Sequence, residues 1–549
     1  MDESAERTKV EWREWGEAAF EEAKTAGKPV LLSLSATWCS WCHRMDETTY
    51  AEPGIAANLN DRFVPVRVDV DRQPRVRERY NVGGFPSTVF ATPEGKVLTG
   101  ATVLRPNDMR QVVDSVDELW QEKGEDAGRV PHSLRERPTP ADEVTPDVEA
   151  NLAGQLSEKF DAEWGGWGDD AKFPLPRTVE FALKREREQA LGTLTAVRQH
   201  LYDDYAGGFF RYASTRDWQG VHHEKLLDAN AALVRAFANA YLYTGADAYR
   251  EPARGTIEYL TTTLWNGEAF AGSQDSGPGE EFYGLAPSDR EAATAPSVDE
   301  TAFADGNALA ADALLTYAAY TDDEQARDYA ERALSYLTDE LVEDGTVAHY
   351  RGADGASERG LLSDQARTVG TLTRAAQVLG DESYVDVARE VADVTLETLR
   401  DGGSFLDGPA GGPGLVRRTL RPLDGNAELA DALVDLHALT GEERYREAAH
   451  DAIAAFAGAR DRMGVQVAVY ATAASRVLQP PLRIDVAAPA GSDLHRAALR
   501  VADHEKLVVP NASDEVYDDG AAYVVVGDAV SDPAEHPAEV GERVASMAE

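Results

Sequence analysis

The order of apolar and polar residues divides the chain into parts with different periodicity. In roughly the first 120 residues, short apolar runs of strand length, such as Pro29–Ser35 and Val64–Val70, alternate with amphipathic helical segments such as that from Cys42 to Asn60. Between Pro146 and Leu478 the pattern is that of long helices rich in Ala, Leu, Glu and Arg. The pattern therefore predicts an α/β domain followed by an all-α domain.

The remaining segments complete the predicted organisation. Gly124–Pro146 is polar, contains four prolines and lacks apolar periodicity, which is typical of a linker. Near the end, Leu482–Ala487 and Ala522–Val526 are strand-like, with a helical stretch from Asp493 to Val501 between them. We predict an α/β domain at 1–123, a linker at 124–146, a helical domain at 147–480 and a small α/β segment at 481–549.

The helical part contains a recurring pattern. Similar helix starts occur at Asp228, Asp305, Asp364 and Asp424, about 60–77 residues apart. Three of them are followed after 20 or 21 residues by a Tyr that begins a second helix. Repeats of helical solenoids are shorter, about 33–47 residues. Roughly twelve helices suit six hairpins closed into an (α/α)6 toroid, in which helix pairs bury their apolar faces on one another.

Asp228, Asp305 and Asp424 each precede an Asn by two positions. Asp and Asn are favourable at the N-cap of a helix, because their side chains accept hydrogen bonds from its first N–H groups. We therefore expect these residues to act as N-caps.

The chain has two cysteines, Cys39 and Cys42, at the predicted junction of a strand and a helix. At a helix N-terminus, unpaired N–H groups and the helix dipole favour a thiolate and lower the pKa of Cys39. This spacing indicates a dithiol/disulfide redox pair. Two alternatives remain: a zinc site, for which only His43 lies nearby as a further ligand, and a structural disulfide, whose small ring would stabilise little.

A proline stands just before a third apolar strand, in Val82-Gly83-Gly84-Phe85-Pro86. With the cysteine pair and the earlier strands, this order of elements resembles a thioredoxin-like domain over residues of about 10–122. The resemblance implies that Pro86 is cis and faces the cysteines, and that Phe85, Pro86 and Trp41 shape the groove for a partner. Many thioredoxins carry a buried Asp where this chain has Ser33. His43 would assist electrostatically or lie exposed on the helix.

Charge changes the picture of the surface. The formal net charge is −43, from 97 acidic and 54 basic residues, and ten of the basic residues are Lys. With 43% hydrophobic residues and nine Trp, the chain has the core residues that an acidic disordered protein lacks. An acidic, Lys-poor surface is typical of salt-adapted cytoplasms, where high ionic strength screens the repulsion.

The same composition excludes some partners. Basic stripes are absent, so we expect binding neither to nucleic acid nor to an anionic membrane. The N-terminus, Met1–Ser4, is acidic without a following apolar run, and no stretch approaches membrane-spanning length. We expect a soluble cytoplasmic protein, in which a free dithiol persists.

Several clusters in the helical part combine aromatic and titratable residues. The loops between the hairpins of a toroid gather at one mouth. There, aromatic rings stack on sugars, and carboxylates bind hydroxyl groups or transfer protons. Each cluster alone also suits a surface or a core. Together they predict a carbohydrate-binding cleft, whose candidate residues are His222, His223, Glu224, Asp275 and Glu281.

The chain also resembles, over residues of about 10–480, the thioredoxin-fused family that includes the spermatogenesis-associated thioredoxin-like proteins. The matching motifs are Trp38–Met45, Ala171–Pro174, Gly207–Phe209 with Arg211-Tyr212, and His222 with Glu224-Lys225 and Asn230-Ala231. The resemblance implies a toroid similar to six-hairpin glycosidases and N-acylglucosamine 2-epimerases. The chain departs from the family at Ser40, usually His, at Ala229, usually an acid, and around Asp275, where the family usually has two acids.

From these patterns we expect a thiol–disulfide oxidoreductase domain fused to the toroid, with Cys39 as attacking thiolate and Cys42 as resolving thiol. Its partner would be a protein disulfide or a reductase, with a sugar as ligand of the toroid and neither cofactor nor metal. One alternative is a carbohydrate-active toroid, epimerase or glycosidase-like, with a regulatory thioredoxin-like module. Another is a scaffold without chemistry.

Overall fold

The computed structural model describes residues 8–135, 138–352, 357–479, 481–513 and 517–547. The acidic N-terminus Met1–Ser4, on which the expectation about targeting rests, lies outside the described residues. The chain forms two compact units. The first comprises residues 1–137 with segments 275–277 and 407–420, and the second comprises the rest. The domain boundaries derived from the linker stay a prediction.

The first unit is built on a five-stranded sheet in the order β1-β3-β2-β4-β5. Its strands are β1 (Arg13–Glu14), β2 (Val30–Ser35), β3 (Val64–Asp69), β4 (Ser87–Ala91) and β5 (Val97–Ala101), and its helices are α1 (Glu17–Ala26), α2 (Ser40–Thr48), α3 (Pro53–Arg62), α4 (Pro74–Tyr80) and α5 (Pro106–Lys123). β3 pairs in parallel with β1 and β2, β4 pairs antiparallel with β2, and β5 pairs antiparallel with β4. The central strand β2 reads as a continuous apolar run because it is buried on both faces. The α/β thioredoxin-like fold is confirmed.

The segment from Cys42 to Asn60 was predicted as one helical stretch, and the structure differs. It forms two helices, α2 and α3, and Pro53 is the first residue of the second. Glu52 before it is extended, with φ −73° and ψ 120°. A proline disfavours helical geometry in the residue before it, so the chain leaves one helix and starts another here.

Segment 407–420 belongs to the first unit through buried polar contacts with α4. Arg79 donates to Asp407 at 2.6 Å. The hydroxyl of Tyr80 accepts the N–H of Leu415 at 2.8 Å. Both residues of α4 are buried, so this segment is part of the packing of the unit.

The second unit contains the helical domain. Its helices are α6 (Asp147–Lys159), α7 (Pro176–Arg185), α8 (Arg187–Leu201), α9 (Leu227–Thr244), α10 (Asp247–Thr262), α11 (Glu280–Tyr283), α12 (Pro287–Ala292), α13 (Ala304–Thr321), α14 (Glu324–Tyr336), α15 (Leu362–Leu379), α16 (Ser383–Thr398), α17 (Leu423–Thr440), α18 (Glu443–Ala454) and α19 (Ala468–Leu478). Its loops carry short strands, β6 (Tyr212–Ala213), β7 (Val221–His222), β8 (Lys225–Leu226), β9 (Ser273–Gln274), β10 (Val298–Asp299), β11 (Val342–Glu343), β12 (Thr346–Val347), β13 (Arg400–Asp401) and β14 (Ser404–Phe405).

Six of these helices form a closed inner ring. In ring order they are α7, α9, α13, α15, α17 and α19, and α19 packs back against α7. Helices α8, α10, α14, α16, α18 and α6 pair with them from outside, so the first helix of the domain completes the hairpin of the last. The predicted (α/α)6 toroid is confirmed, and Tyr249, Tyr384 and Tyr445 lie in the first turns of outer helices.

The expectation that Asp228, Asp305 and Asp424 are N-caps is wrong. The capping positions are Leu226, Phe303 and Pro422, and the Asp residues lie in the first turn, where the helix dipole favours a carboxylate.

The Asn of each motif instead fixes the preceding loop. The amide of Asn307 accepts the N–H of Phe270 and donates to its carbonyl, both at 2.9 Å. Asn230 does the same with Phe209, and Asn426 with Phe405. Because the three Asn side chains are fully buried, each repeat forms an amide clamp between an inner helix and a loop. In the fourth repeat, Gln365 accepts the N–H of Val347 at 2.7 Å.

The C-terminal segment is a small α/β structure, as predicted. It contains β15 (Arg483–Val486), α20 (Asp493–Leu499), β16 (Leu507–Pro510), β17 (Ala522–Val526), β18 (Ala529–Val530) and α21 (Pro537–Met547). Its sheet has the order β16-β15-β17-β18 and packs on the C-terminal ends of inner helices. Gln377 of α15 accepts the N–H of Val508 at 3.1 Å, and its carbonyl lies 2.8 Å from His495 Nε2.

Across the described residues, no helix combines the length and the apolar content needed to span a bilayer.

Candidate functional site

The two cysteines lie where β2 leads into α2. Cys39 is the N-cap residue of α2, and its sulfur accepts the N–H of Cys42 at 3.2 Å. The two sulfur atoms are bonded as a disulfide, and both residues are buried. The predicted helix N-terminus at Cys39 is confirmed. At this position, the helix dipole and a direct N–H donor both favour negative charge on the sulfur of the reduced form.

Aromatic side chains surround the pair. Trp41 is 48% exposed, and the guanidinium of Arg44 lies 5.4 Å from the centre of its ring. Trp38 packs edge-to-face on Phe85 with 6.0 Å between ring centres. The Phe85–Pro86 peptide bond is cis, as predicted. Trp41 is therefore an exposed aromatic side chain beside a buried disulfide.

At the position where many thioredoxins carry a buried Asp, this chain has the uncharged residue Ser33. Ser33 is buried on β2, and its hydroxyl lies 3.5 Å from that of Tyr50. Sequence reasoning missed a buried carboxylate one turn beyond Cys42, that of Asp46, which accepts from Arg67 at 3.0 Å. Asp46 is thus engaged in an ion pair with Arg67.

His43 has a partner that the sequence did not connect with it. Its Nδ1 lies 3.3 Å from Oδ2 of Asp275, in the 275–277 segment of the same unit. The other carboxylate oxygen accepts from the N–H of Gly277 at 3.0 Å and from the hydroxyl of Ser276 at 3.2 Å. Asp275, expected in the sugar cleft, therefore contacts the histidine that follows the cysteines.

Two of the other candidates for the cleft, His222 and Glu224, lie together in the second unit. Phe173, Tyr212 and His222 form a stack of nearly parallel rings, with centres 4.5 and 4.0 Å apart. Phe173 at one end is 45% exposed. His222 Nδ1 lies 3.7 Å from Glu224, which also accepts from Arg211 at 3.1 Å. Burial acts to raise the pKa of Glu224, but the hydrogen bond from His222 and the charge of Arg211 outweigh it and hold this pKa below its usual value.

His223 occupies a separate aromatic environment. Its ring stacks on Tyr283 at 5.2 Å and meets the edge of Phe210 at 4.7 Å. Burial lowers the pKa of His223, so its neutral form is favoured. Its Nε2 lies 3.4 Å from Glu280, whereas Glu281, the predicted residue, is exposed in the first turn of α11.

The lysines of the sequence motifs hold loops together. Lys172 Nζ is buried and donates to Asp161 and to two backbone carbonyls of its loop, at 2.9–3.0 Å. Lys225 Nζ is buried and donates to Asp203 and to the carbonyl of Gly207, both at 2.7 Å. Each of the two Asp-x-x-x-Gly-Gly loops is thus held by its own buried lysine. The lysines of these motifs therefore have a structural role in the loops.

Sequence reasoning missed the centre of the ring. All six inner helices contribute residues to two pockets along its axis. Arg235 donates twice to Glu180 at 2.7 Å and once to Asp312 at 2.5 Å. Arg476 pairs in the same region with Asp431 and Asp435. A sequence signal existed, since Arg235 and Asp312 interrupt otherwise apolar helices.

A further cluster lies where inner helices begin. His349 Nδ1 is 3.1 Å from both carboxylate oxygens of Asp364, and Asp305 lies close enough for the three side chains to reach one metal ion. Arg367 donates to Asp305 at 3.0 Å, so a cation already neutralises part of this cluster.

Comparison with known proteins supports the two-part architecture. Residues 3–137 match the family model Thioredox_DsbH, described as protein of unknown function, DUF255. Over 292 residues, 46% of this chain, the sequence is 30% identical to human Spermatogenesis-associated protein 20, and it covers 37% of that protein. It is also 36% identical over 83 residues to Thiol:disulfide interchange protein DsbD 1 of Pseudomonas aeruginosa, covering 14% of each chain. The chain thus spans little more than a third of the first of these relatives.

Solved structures with similar helical arrangements include sugar epimerases. A sugar epimerase from a ruminal bacterium is 15% identical with a TM-score of 0.46, covering 56% of this chain and 84% of that one. Cellobiose 2-epimerase from Spirochaeta thermophila is 20% identical with a TM-score of 0.45, covering 59% and 86%. The toroid assignment itself rests on the closed ring of inner helices.

Proposed function

We propose that the protein is a thiol–disulfide oxidoreductase acting through Cys39 and Cys42. The proposal is supported by the match of residues 3–137 to the DUF255 family model, in a chain that also carries an (α/α)6 toroid. The observation that carries the proposal is the position of the Cys39 sulfur at the N-cap of α2, where it accepts an N–H at 3.2 Å. This position stabilises the thiolate, which is the nucleophile of disulfide exchange.

The reaction consists of two exchanges. In the first, the Cys39 thiolate attacks one sulfur of a partner disulfide, forming a mixed disulfide and releasing the other partner sulfur as a thiolate. In the second, Cys42 loses its proton and attacks the Cys39 sulfur. The partner leaves with both sulfurs reduced, and two electrons have moved from the Cys39–Cys42 dithiol to the partner. A reductase restores the dithiol by the reverse steps.

We assign the surrounding residues to partner binding. Trp41 lies exposed between the two cysteines, and Phe85, which precedes the cis bond to Pro86, packs on Trp38 beside Cys39; together they suit an extended partner segment. His43, held by Asp275, lies directly after the resolving cysteine. Since Ser33 supplies no charge behind the pair, the His43–Asp275 pair is the candidate to receive the proton of Cys42.

A single-turnover experiment tests this proposal. Reduced full-length protein is mixed with a small protein disulfide substrate, quenched with acid and analysed by mass spectrometry. We expect the C42S variant to accumulate a mixed disulfide at Cys39, and the wild type to reach the intramolecular disulfide. The C39S variant is the matched control and should form far less adduct. Equal adduct formation by C42S and C39S would refute the assignment of Cys39 as nucleophile.

A second candidate function is carbohydrate binding in the toroid. The observation that favours it is the stack of Phe173, Tyr212 and His222, which has the exposed ring of Phe173 at one end and the Glu224 carboxylate 3.7 Å from His222 at the other. Such rings bind the apolar face of a sugar, and a neighbouring carboxylate accepts its hydroxyl groups. This candidate function includes catalysis, in which the toroid would also convert the bound sugar as an epimerase or a glycosidase does.

Saturation-transfer NMR with mono- and disaccharides tests this second candidate. We expect a signal for the full-length protein that the F173A variant loses. The control is Y205A, which removes another exposed aromatic ring (45% exposed) outside the stack. Retention of the signal in F173A, or no signal for any saccharide, would contradict binding at the stack.

We also propose that the protein works in a cytoplasm of high ionic strength. The support is the balance of 97 acidic to 54 basic residues, whose mutual repulsion high ionic strength would screen.

A further inference from the structure

Lys506, in the C-terminal segment, differs from the other buried lysines. Among the described residues, Lys172, Lys225 and Lys506 are buried, and the first two donate to carboxylates at 2.9 and 2.7 Å. Lys506 Nζ donates to the backbone carbonyl of Asp503 at 3.1 Å and lies 5.4 Å from the centre of the Tyr320 ring. Within the described part of the chain, it forms no ion pair within 4.0 Å.

This amine lines one of the two pockets on the toroid axis. The pocket is also lined by Glu180, Asn239, Thr316 and Arg374. The hydroxyl of Thr316 is buried and makes no hydrogen bond within the described residues. The pocket therefore holds an amine without a counter-charge and a hydroxyl without a partner, an arrangement that leaves both groups available to a ligand.

The protonation state of Lys506 agrees with this arrangement. Burial lowers its pKa to about 7, and the charge of Arg374 acts in the same direction, opposed by Asp503. About half of the amine is then neutral at pH 7, compared with about four parts in ten thousand for an ordinary lysine. Arg could not replace it in this respect, because a guanidinium does not lose its proton at neutral pH.

We propose that Lys506 is a covalent carbonyl-binding residue, and that the toroid pocket takes a small aldehyde or 2-oxo acid. The lone pair of Nζ attacks the carbonyl carbon, and the π electrons move to the oxygen, which takes up a proton to give a carbinolamine. The hydroxyl group then leaves as water, and the nitrogen lone pair forms the C=N bond. Amine and carbonyl compound give imine and water, so no oxidant or reductant is required.

Reductive trapping on the full-length protein tests the proposal. The protein is incubated at pH 7 with glyoxylate or glycolaldehyde, and cyanoborohydride reduces any imine to a stable secondary amine that peptide mapping locates. Glyoxylate carries a carboxylate that Arg374 can bind, and glycolaldehyde is neutral, so the two arms separate an oxo acid from an uncharged aldehyde. We expect trapping at Lys506 to exceed that at the exposed Lys123 at least tenfold with one of them.

Two controls keep the outcome interpretable. The K506R variant retains the positive charge, so it should keep the fold and the trapping at Lys123 and lose only the modification at position 506. The rate of modification at Lys506 should be half-maximal near pH 7. Trapping at Lys506 equal to or below that at Lys123, or a half-maximal rate near pH 10, would overturn the proposal.

Discussion

The amide clamps of the toroid give a prediction that separates two interpretations of the Asp-x-Asn motif. In the first repeat, Asn230 Oδ1 accepts the N–H of Phe209 at 2.6 Å, and Nδ2 donates to the carbonyl of Phe209 at 3.1 Å. The N230A variant leaves both groups of a buried residue without this partner. Asp228 is exposed and accepts the N–H of Ala229.

The N230A and D228A variants are expected to differ widely in how much free energy they cost. A buried polar group left unsatisfied costs about 1–3 kcal/mol, so N230A should lower the free energy of opening of the Phe209 loop by about 3 kcal/mol or more. That corresponds to roughly a hundredfold faster hydrogen exchange. The D228A variant removes a carboxylate from the first helical turn, which is worth about 0.3–1 kcal/mol.

Hydrogen exchange followed by mass spectrometry measures the difference directly, on the peptide that contains Phe209 and Phe210 in the full-length protein. Exchange of that peptide should accelerate in N230A and change little in D228A. If D228A has the larger effect, Asp228 contributes as an N-cap would and the clamp interpretation is refuted.

Three further predictions concern charge. Tyr243 lies 2.9 Å from His504 Nδ1, and burial lowers the pKa of His504 to about 4. The unfolded chain takes up this proton near pH 6.5, whereas the folded protein takes it up only near pH 4. The free energy of unfolding is therefore unaffected by His504 above pH 6.5 and falls on acidification towards pH 4, by about 2 kcal/mol at pH 5. Chemical denaturation of the H504Q variant should show a flatter dependence of stability on pH. With a net charge of −43, the thermal midpoint should rise between about 0.1 and 1 M KCl and not with an uncharged osmolyte at equal osmolality. The D275N variant should resolve the mixed disulfide at Cys39 roughly tenfold more slowly, and the pH dependence of that rate should shift. The control is D114N, which changes an exposed carboxylate. An unchanged rate of resolution in D275N would exclude a role for the His43–Asp275 pair.

The sequence pattern predicted those features that depend on local periodicity. The strands β2 and β3 and the helix N-terminus at Cys39 follow from short apolar runs and from the position of the cysteines. The toroid follows from a spacing that is too long for a solenoid. Each of these signals involves neighbouring residues or a regular repeat, so no knowledge of distant contacts is needed.

Features that depend on distant residues could not be predicted in this way. Asp275 is 232 positions from His43 in the sequence, and a loop acid gives no local sign of its partner. Arg235, Glu180 and Asp312 lie on three different helices, and only closure of the ring brings them together. The Asn clamps were misread because Asn is equally suited to capping and to pairing with a loop backbone.

The most direct test of the redox proposal is the acidity of Cys39 in the reduced full-length protein. The rate of its alkylation by iodoacetamide, measured against pH in the C42S variant, reports the thiolate fraction. Stabilisation by the N-terminus of α2 predicts a midpoint at least about one pH unit below the value of 8.5 for a free cysteine. A midpoint at or above about 8.5 would contradict the proposal that Cys39 is an activated nucleophile.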